Sequence, residues 1–396
     1  LEESKAKTGT LQRSGSMRFK SRSAKSEDQV ASEKAWLTAE KVWLVHKKGF
    51  TAARVLKGEE GVPEGRCKVK LEHNGQELEV DEDDIEKANP PQFDRVEDLA
   101  TLRHLNESSA LHTLRQRYGS NLIHTYAGRS LITINPMCPL AIYSEKVIQM
   151  FRGCKPEDMP PHIFATAQIA YRNLLSSRHD QSIIMMGRSG SGKSTNAHHI
   201  LCYLAAAAGS INNFLTTEKL TAINTLLSTF GHSRTIMNTS ASKFTQLFSL
   251  DFDHSGQIAA ASIQVLMLEK SRIVKRPEGE PTFHVFYQML AGLETTLRNE
   301  LQLQNMNEPN IFMTPLQRAE DRQKGAQSWG KVRHAMSVIG VSENEEKALV
   351  SVMAAIYHLG VAAVAKGANN KYQFSRPQAA QKAASVLGVT VEELSR

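Results

Sequence analysis

The sequence predicts an α/β fold, a mixed sheet flanked by helices, preceded by a small β-barrel at residues 34–90 and a disordered basic tail at residues 1–33. Three observations carry this reading. The tail is rich in Ser, Lys, Arg and Gly; residues 41–90 break into short alternating runs; and an apolar strand, a glycine-rich loop and a helical run follow one another between residues 182 and 209.

At 396 residues, with 41% hydrophobic and 22% charged content, the chain belongs among soluble globular proteins and has length for two or three domains. Its longest apolar run, near Leu201–Ala208, is far short of the roughly 20 residues that cross a bilayer, so no membrane span is expected. The cysteines at 67, 138, 154 and 202 lack metal-ligand spacing and read as incidental thiols in a cytoplasmic protein. The net charge of +7 is uneven: residues 1–25 carry seven basic residues against Glu2 and Glu3. With the remainder near balance, nucleic acid is not an expected partner.

The tail has too little apolar surface to offset the entropy of ordering. Arg13-Ser-Gly-Ser16 and Arg18…Arg22-Ser suit phosphorylation or an acidic surface, but a solvated linker is the simpler reading. In the barrel, Val69/Leu71 and Leu78/Val80 flank His73-Asn74-Gly75-Gln76, and Asn-Gly between alternating runs signals a hairpin. Pro90-Pro91 closes the segment.

Beyond Phe93, Leu99, Leu102 and Leu105, then Leu111, Leu114 and Tyr118, recur at helical spacing, which predicts two helices with Asn106 capping the second. "SLITINP" reads as a strand stopped at Pro136. Helices are predicted at about 144–153 and 160–177, a strand at Ser182–Met186, and a helix from the loop to Gly209. His198 and His199 on that helix read as surface residues.

The loop Gly187-Arg188-Ser189-Gly190-Ser191-Gly192-Lys193-Ser194-Thr195 satisfies G-x-x-x-x-G-K-[ST]. Glycines let backbone N–H groups curl around phosphate oxygens, a helix N-terminus adds its positive dipole, Lys193 reaches the outer phosphates and Ser194 offers a hydroxyl to Mg²⁺. Strand, loop and helix in that order make a nucleotide site and a sheet of phosphate-loop NTPase type. Asp251 in "LFSLDF" is the candidate for a second Mg²⁺ group, but Asp253-His-Ser-Gly-Gln257 and a second apolar run follow it, so it reads as one arm of a hairpin.

Several segments together resemble the myosin motor head, in that family's order, over about residues 40–396. "LNESSALHTLRQRYGSNLIHTYAG" is similar to its helix pair, and "NPMCPLAIY" to its adenine-side loop, giving Asn135, Pro136 and Tyr143. "DQSIIMMGRSGSGKST" is similar to its phosphate loop and "FGHSRTIMNTSASKF" to its switch I. "SIQVLMLEKSRIV", "FHVFYQMLAG" and "AAIYHLG" follow at the expected distances. "VWLVHKKGF", "DEDDIEKAN" and "FSLDFD" resemble the class XVIII branch.

The resemblance implies ATP or ADP with Mg²⁺, held by Asn135, Pro136, Tyr143, the loop from Gly187 to Thr195, and Asn238, with Ser194 and Ser242 on the metal. Departures bear on hydrolysis. Switch I of the family reads N-x-N-x-S-R-F with a second serine; here Asn238 and Ser242 match, Ala241 replaces a hydroxyl beside the attacking water, and Lys243 replaces the arginine that pairs with a glutamate of switch II. Alanine has no donor or acceptor, and lysine loses the two-pronged geometry of arginine. Loss of one such contact costs about 2.7–4 kcal/mol, on the order of 10²–10³ in rate, so Ser242 and Lys243 are read as a degenerate catalytic pair. Arg188 in place of a glutamate reads as solvent-facing, and Cys138 and Pro139 imply weaker purine contacts.

The resemblance further implies that switch II, the converter and most actin contacts lie beyond residue 396, as would sites for light chains and self-association, and that the piece alone folds poorly. The expectation is a cytoskeleton-associated, nucleotide-binding head with weak or absent hydrolysis that tethers actin. An active actin-stimulated motor is the alternative. An unrelated phosphate-loop kinase, which needs Asp251 on Mg²⁺, is the remote one.

Overall fold

The structure, a computed structural model, describes residues 41–56, 63–304, 308–314, 319–366 and 371–395. The predicted tail at 1–33 lies outside the described residues. The chain divides into two compact units that meet in sequence at Ser120 and Asn121.

The first unit is built on an antiparallel sheet of β1 (Lys41–His46), β2 (Gly49–Val55), β3 (Arg66–Leu71), β4 (Glu77–Asp81) and β5 (Ile85–Lys87), in the order β4-β3-β2-β1-β5. The Asn74-Gly75 hairpin forms as predicted: Val69 lies opposite Leu78, Gly75 adopts φ +70°, and Asn74 Oδ1 accepts from the Gln76 N–H at 3.0 Å. Val42, Leu44, Ala53, Val69 and Leu71 make the core. The predicted barrel is corrected to a sheet, because no pairing joins β4 to β5 among the described residues.

Of the two predicted helices beyond Phe93, only α1 (Glu107–Gly119) forms. Asn106 caps it, accepting from the Ser109 N–H at 2.8 Å. The first is corrected to a single 3-10 turn, Leu99–Thr101: Asp98 accepts from the Ala100 N–H, and the chain leaves the turn extended at Leu102. Buried Leu99 and Leu102 reflect packing of that irregular segment, so their spacing mimicked a helical stripe. Helix α1 docks on its own sheet, with Trp43 Nε1 donating to Ser109 Oγ at 3.0 Å.

The second unit opens with the hairpin β6 (His124–Ala127) and β7 (Ser130–Thr133), then α2 (Glu145–Gly153), α3 (Ile163–Ser177) and α4 (Lys193–Ala208). These helices share a core of Val147, Phe151, Phe164, Ile200 and Tyr203, inside which the Tyr203 hydroxyl donates to Gln168 Oε1 at 2.8 Å. Helix α5 (Thr217–Gly231) is followed by β8 (His232–Ser233), β9 (Ala241–Ser242), β10 (Thr245–Phe252) and β11 (Ile258–Leu266). The last two are the predicted hairpin, with Asp251 opposite Ala260.

A larger core gathers α6 (His284–Gly292), α7 (Thr295–Glu300), α8 (Ala319–Val338) and α9 (Glu343–Ala362). Then come β12 (Val364–Lys366), β13 (Tyr372–Phe374), α10 (Pro377–Leu387) and α11 (Val391–Leu394). At the centre of that core Trp329 is 1% exposed, against Gly292. No helix among the described residues is long and apolar enough to cross a membrane.

The mixed sheet is the main correction. Among the described residues every ladder of the second unit is two-stranded. Ser182–Met186 runs ahead of the glycine-rich loop without a ladder partner, alternating between Ile183 and Met185, packed on the core, and Ile184 and Met186, 78% and 86% exposed. The period-two pattern is that of a strand, but a strand needs a neighbour for its N–H and C=O groups.

Substituting Gly292→Ala should cost about 1–3 kcal/mol, because the added methyl overlaps the Trp329 side chain. The expected result is a lower denaturant midpoint with an unchanged slope.

Candidate functional site

The glycine-rich loop begins where the partnerless segment ends. Gly187 takes φ +143°, and a Cβ there would fall 2.7 Å from Ser191 Oγ. Gly192 takes φ +94° at the N-cap of α4, which has no side-chain cap. The first N–H groups of α4 therefore open onto the loop, an arrangement that favours an anion. Lys193 Nζ donates to the carbonyls of Gly187 at 2.7 Å and Arg188 at 2.9 Å, drawing the ammonium over the loop it follows. Arg188 and Thr195 are exposed, and the buried Ser191 Oγ has no hydrogen-bond partner among the described residues.

Two further segments reach this loop. Asn135, just after β7, donates through Nδ2 to the Gly190 carbonyl at 2.7 Å, while its Oδ1 accepts from the Met137 N–H. Asn238 donates through Nδ2 to Ser189 Oγ at 3.1 Å, while its Oδ1 accepts from the Ser240 N–H. Asn238 thus spends one end of its amide on its own loop and the other on the phosphate loop.

The segment carrying Asn238 is a closed hairpin. β8 and β9 pair His232 with Ser242 and Ser233 with Ala241. Ser242 Oγ lies 3.1 Å from Ser194 Oγ. His232 Nε2 is 2.9 Å from Ser242 Oγ and its Nδ1 is 3.0 Å from Ser240 Oγ. Burial, with His284 adding repulsion, pushes the His232 imidazole down to about 4, so it is neutral with one N–H and one bare nitrogen. Ala241 is buried, 4% exposed, whereas Ser242 is exposed.

Lys243 follows, with Nζ 3.4 Å from Glu269 Oε2. Glu269 also meets the buried guanidinium of Arg272, which reaches Glu280 at 2.8 Å. The Glu269 N–H also donates to the Lys243 carbonyl at 2.8 Å, so the two residues are tied through the backbone, while the Lys243 side chain meets the carboxylate at one oxygen and not as a two-pronged pair.

Tyr143, in a 3-10 turn at Ala141–Tyr143, stacks on His199 with ring centroids 3.8 Å apart and planes at 10°. Burial raises its phenol to about 12. His199 is pushed down to about 4 by burial and then by His198, and His162, beside Tyr143, falls to about 4 by burial against an opposing contact from the Ile142 carbonyl. The surface reading of His198 and His199 is therefore corrected: both are half-buried, because α4 turns that face onto the turn holding Tyr143. Pro136 is half-buried; Cys138 and Pro139 are exposed. Asp251 is exposed in its hairpin arm.

The structure thus gathers Asn135, the loop from Gly187 to Thr195, Asn238 and Ser242 into one site, with Lys243 beside it in sequence. The sequence reading missed His232, Ser240 and Glu269. A short ladder returning on itself is the only signal that could have paired His232 with Ser242.

The donor set fits a phosphate chain with a divalent cation. Two serine hydroxyls face each other, an ammonium overlies the loop, uncapped helical N–H groups open onto it, and glycines leave room for close backbone approach.

Residues 96–396 match the family model "Myosin head (motor domain)", and residues 21–87 match "Unconventional myosin-XVIIIa SH3 domain". The chain is 52% identical over 377 residues to the mouse (Mus musculus) protein "Unconventional myosin-XVIIIa", covering 94% of this chain and 18% of that protein. It is 43% identical over 376 residues to human (Homo sapiens) "Unconventional myosin-XVIIIb", covering 94% of this chain and 14% of that protein. The chain thus spans less than a fifth of the length of these relatives.

Folded-state histidines held near 4 make the fold sensitive to acid. Below about 6.5, their ordinary value, the unfolded chain binds protons that buried His162, His199 and His232 do not, so stability should fall as pH drops from about 6.5 toward 4. His162→Asn retains an acceptor for the Phe164 N–H that His162 Nδ1 now takes. It should flatten the dependence of the denaturant midpoint on pH across that window.

Proposed function

Because the chain belongs to the myosin motor-head family, we propose that it is the nucleotide-binding part of an unconventional head that holds ATP or ADP with Mg²⁺ but hydrolyses poorly, and that serves as an actin and cytoskeletal tether. The observation that carries this reading is the pair Ala241 and Lys243.

Phosphoryl transfer depends on positioning and on charge stabilisation more than on covalent help from the protein. In this reading the N–H groups of the phosphate loop and Lys193 hold the phosphates, and Asn135, Pro136 and Tyr143 flank the base. Mg²⁺, held by Ser194 and Ser242, would supply charge neutralisation on the outer phosphates. What is weak is the alignment of water. The Ala241 side chain has no polar atom to offer, and the Lys243 ammonium meets one carboxylate oxygen of Glu269 at 3.4 Å where an arginine could present two N–H groups. Two impaired contacts, each worth on the order of 10²–10³ in rate, leave little turnover while grip on the nucleotide survives.

A working motor is the second reading, and it rests on the same contact: Lys243 keeps its charge and has an acidic partner. The kinase reading loses its support with Asp251 exposed in a hairpin arm. Actin contact, light chains and self-association belong, in this proposal, to regions of the intact protein outside these residues.

The decisive comparison sets fluorescent ATP and ADP binding against phosphate release, with and without actin filaments, on the intact protein. Tight binding with negligible release is expected, and Lys193→Ala should abolish the binding. Restoring both groups with Ala241→Ser and Lys243→Arg should raise release by on the order of 10²-fold or more. Brisk, filament-stimulated release by the unaltered protein would overturn the proposal in favour of the motor.

A further inference from the structure

His232 lies outside both the phosphate loop and the N-x-x-x-S pattern of Asn238 and Ser242, yet it touches the site. It is the first residue after α5 and the ladder partner of Ser242. Its two nitrogens tie Ser242 Oγ and Ser240 Oγ at 2.9 and 3.0 Å, and Ser242 Oγ continues to Ser194 Oγ at 3.1 Å. Four side chains therefore form one string that ends on the two hydroxyls able to face a cation.

The ring is held from behind. The Phe244 ring lies with its centroid 5.9 Å from that of His232, and it packs where a Cβ on Gly231 would otherwise be. Turning the imidazole away would break both serine contacts.

We propose that His232 is a positioning residue that aims the Ser242 hydroxyl and so sets how tightly the site holds the divalent cation accompanying a nucleotide. The inference rests on the nucleotide-site reading above.

The argument is one of hydroxyl orientation. A serine oxygen ligates a cation through a lone pair, so its proton must be directed elsewhere. A bare imidazole nitrogen 2.9 Å away accepts a hydrogen bond from that O–H, leaving the lone pairs toward Ser194. The inference assigns the ring hydrogen to Nδ1, which then donates to Ser240 Oγ 3.0 Å away and leaves Nε2 bare. Nothing in this requires proton transfer or bond formation. Its signature is confined to the metal-dependent part of nucleotide retention.

The test is release of fluorescent ADP from the intact protein across a Mg²⁺ titration and in EDTA. His232→Ala should raise the Mg²⁺ concentration needed for half-maximal retention by about 10–100-fold, with ADP affinity in EDTA unchanged. Ser240→Ala should move the curve the same way by less, and His232→Gln, whose amide oxygen can still accept from Ser242, should recover part of the loss. A Mg²⁺ curve unaltered by His232→Ala would overturn the inference. So would equal loss of ADP with and without Mg²⁺, which marks a role in folding alone. If the unaltered protein retained no ADP in either condition, the nucleotide-site reading would fail first and this inference with it.

Discussion

The arrangement of the site depends on one contact, the 3.1 Å approach of the Ser194 and Ser242 hydroxyls. These residues are 48 positions apart. One is in the first turn of α4 and the other at the end of a loop, and they meet only because α5 stops at Gly231 and the chain folds straight back on itself. Gly231 has no Cβ where the Phe244 ring packs, and β8 and β9 set the register that places His232 across from Ser242. A single neutral hydrogen bond contributes about 0.5–1.5 kcal/mol. Its importance here is geometric, because Asn238 to Ser189 and Asn135 to Gly190 converge on the same loop and together leave it one position.

Charge is organised in two layers around that contact. On the open side, Lys193 and the uncapped first turn of α4 present positive ends, with the ammonium steadied by the carbonyls of Gly187 and Arg188. Behind it, the buried Arg272 guanidinium is compensated by Glu269 and Glu280 and anchored by the Pro281 carbonyl. Removing one partner from such a cluster is costly because the other charge stays buried. Lys243 meets this inner layer at Glu269, through a 3.4 Å ion pair and a 2.8 Å backbone hydrogen bond from the Glu269 N–H to the Lys243 carbonyl.

The surroundings of Tyr143 are built on a different force. Tyr143 is placed by ring packing against His199, His162 and Phe164, all in or beside the core shared by α2, α3 and α4. The same burial that fixes the phenol holds the neighbouring imidazoles neutral. The placement of Tyr143 and the acid sensitivity of the fold thus share one origin.

Much of this was legible in the residues themselves. The Asn74-Gly75 turn, the Asn106 cap, the hairpin around Asp253–Gln257 and the run from Gly187 into α4 are local events decided by side chains within a few positions of one another. The resemblance to the motor-head family added Asn135, Tyr143, Asn238 and Ser242, whose spacing alone does not show that they converge. What local chemistry could not decide were pairings over distance. Leu99 and Leu102 follow a helical period yet lie in and just after a 3-10 turn, because an irregular segment can bury the same leucines. Ser182–Met186 has a strand's alternation but no ladder among the described residues, because a strand is completed by a neighbour. His198 and His199 look solvent-facing until α4 meets the turn at Tyr143, and His232 acquires a role only when its strand pairs with Ser242. The sequence by itself determined the phosphate loop, the turns and the caps. Tertiary structure alone decided which imidazoles are buried and which hydroxyls meet, since burial and hydrogen bonding are properties of what lies across the gap.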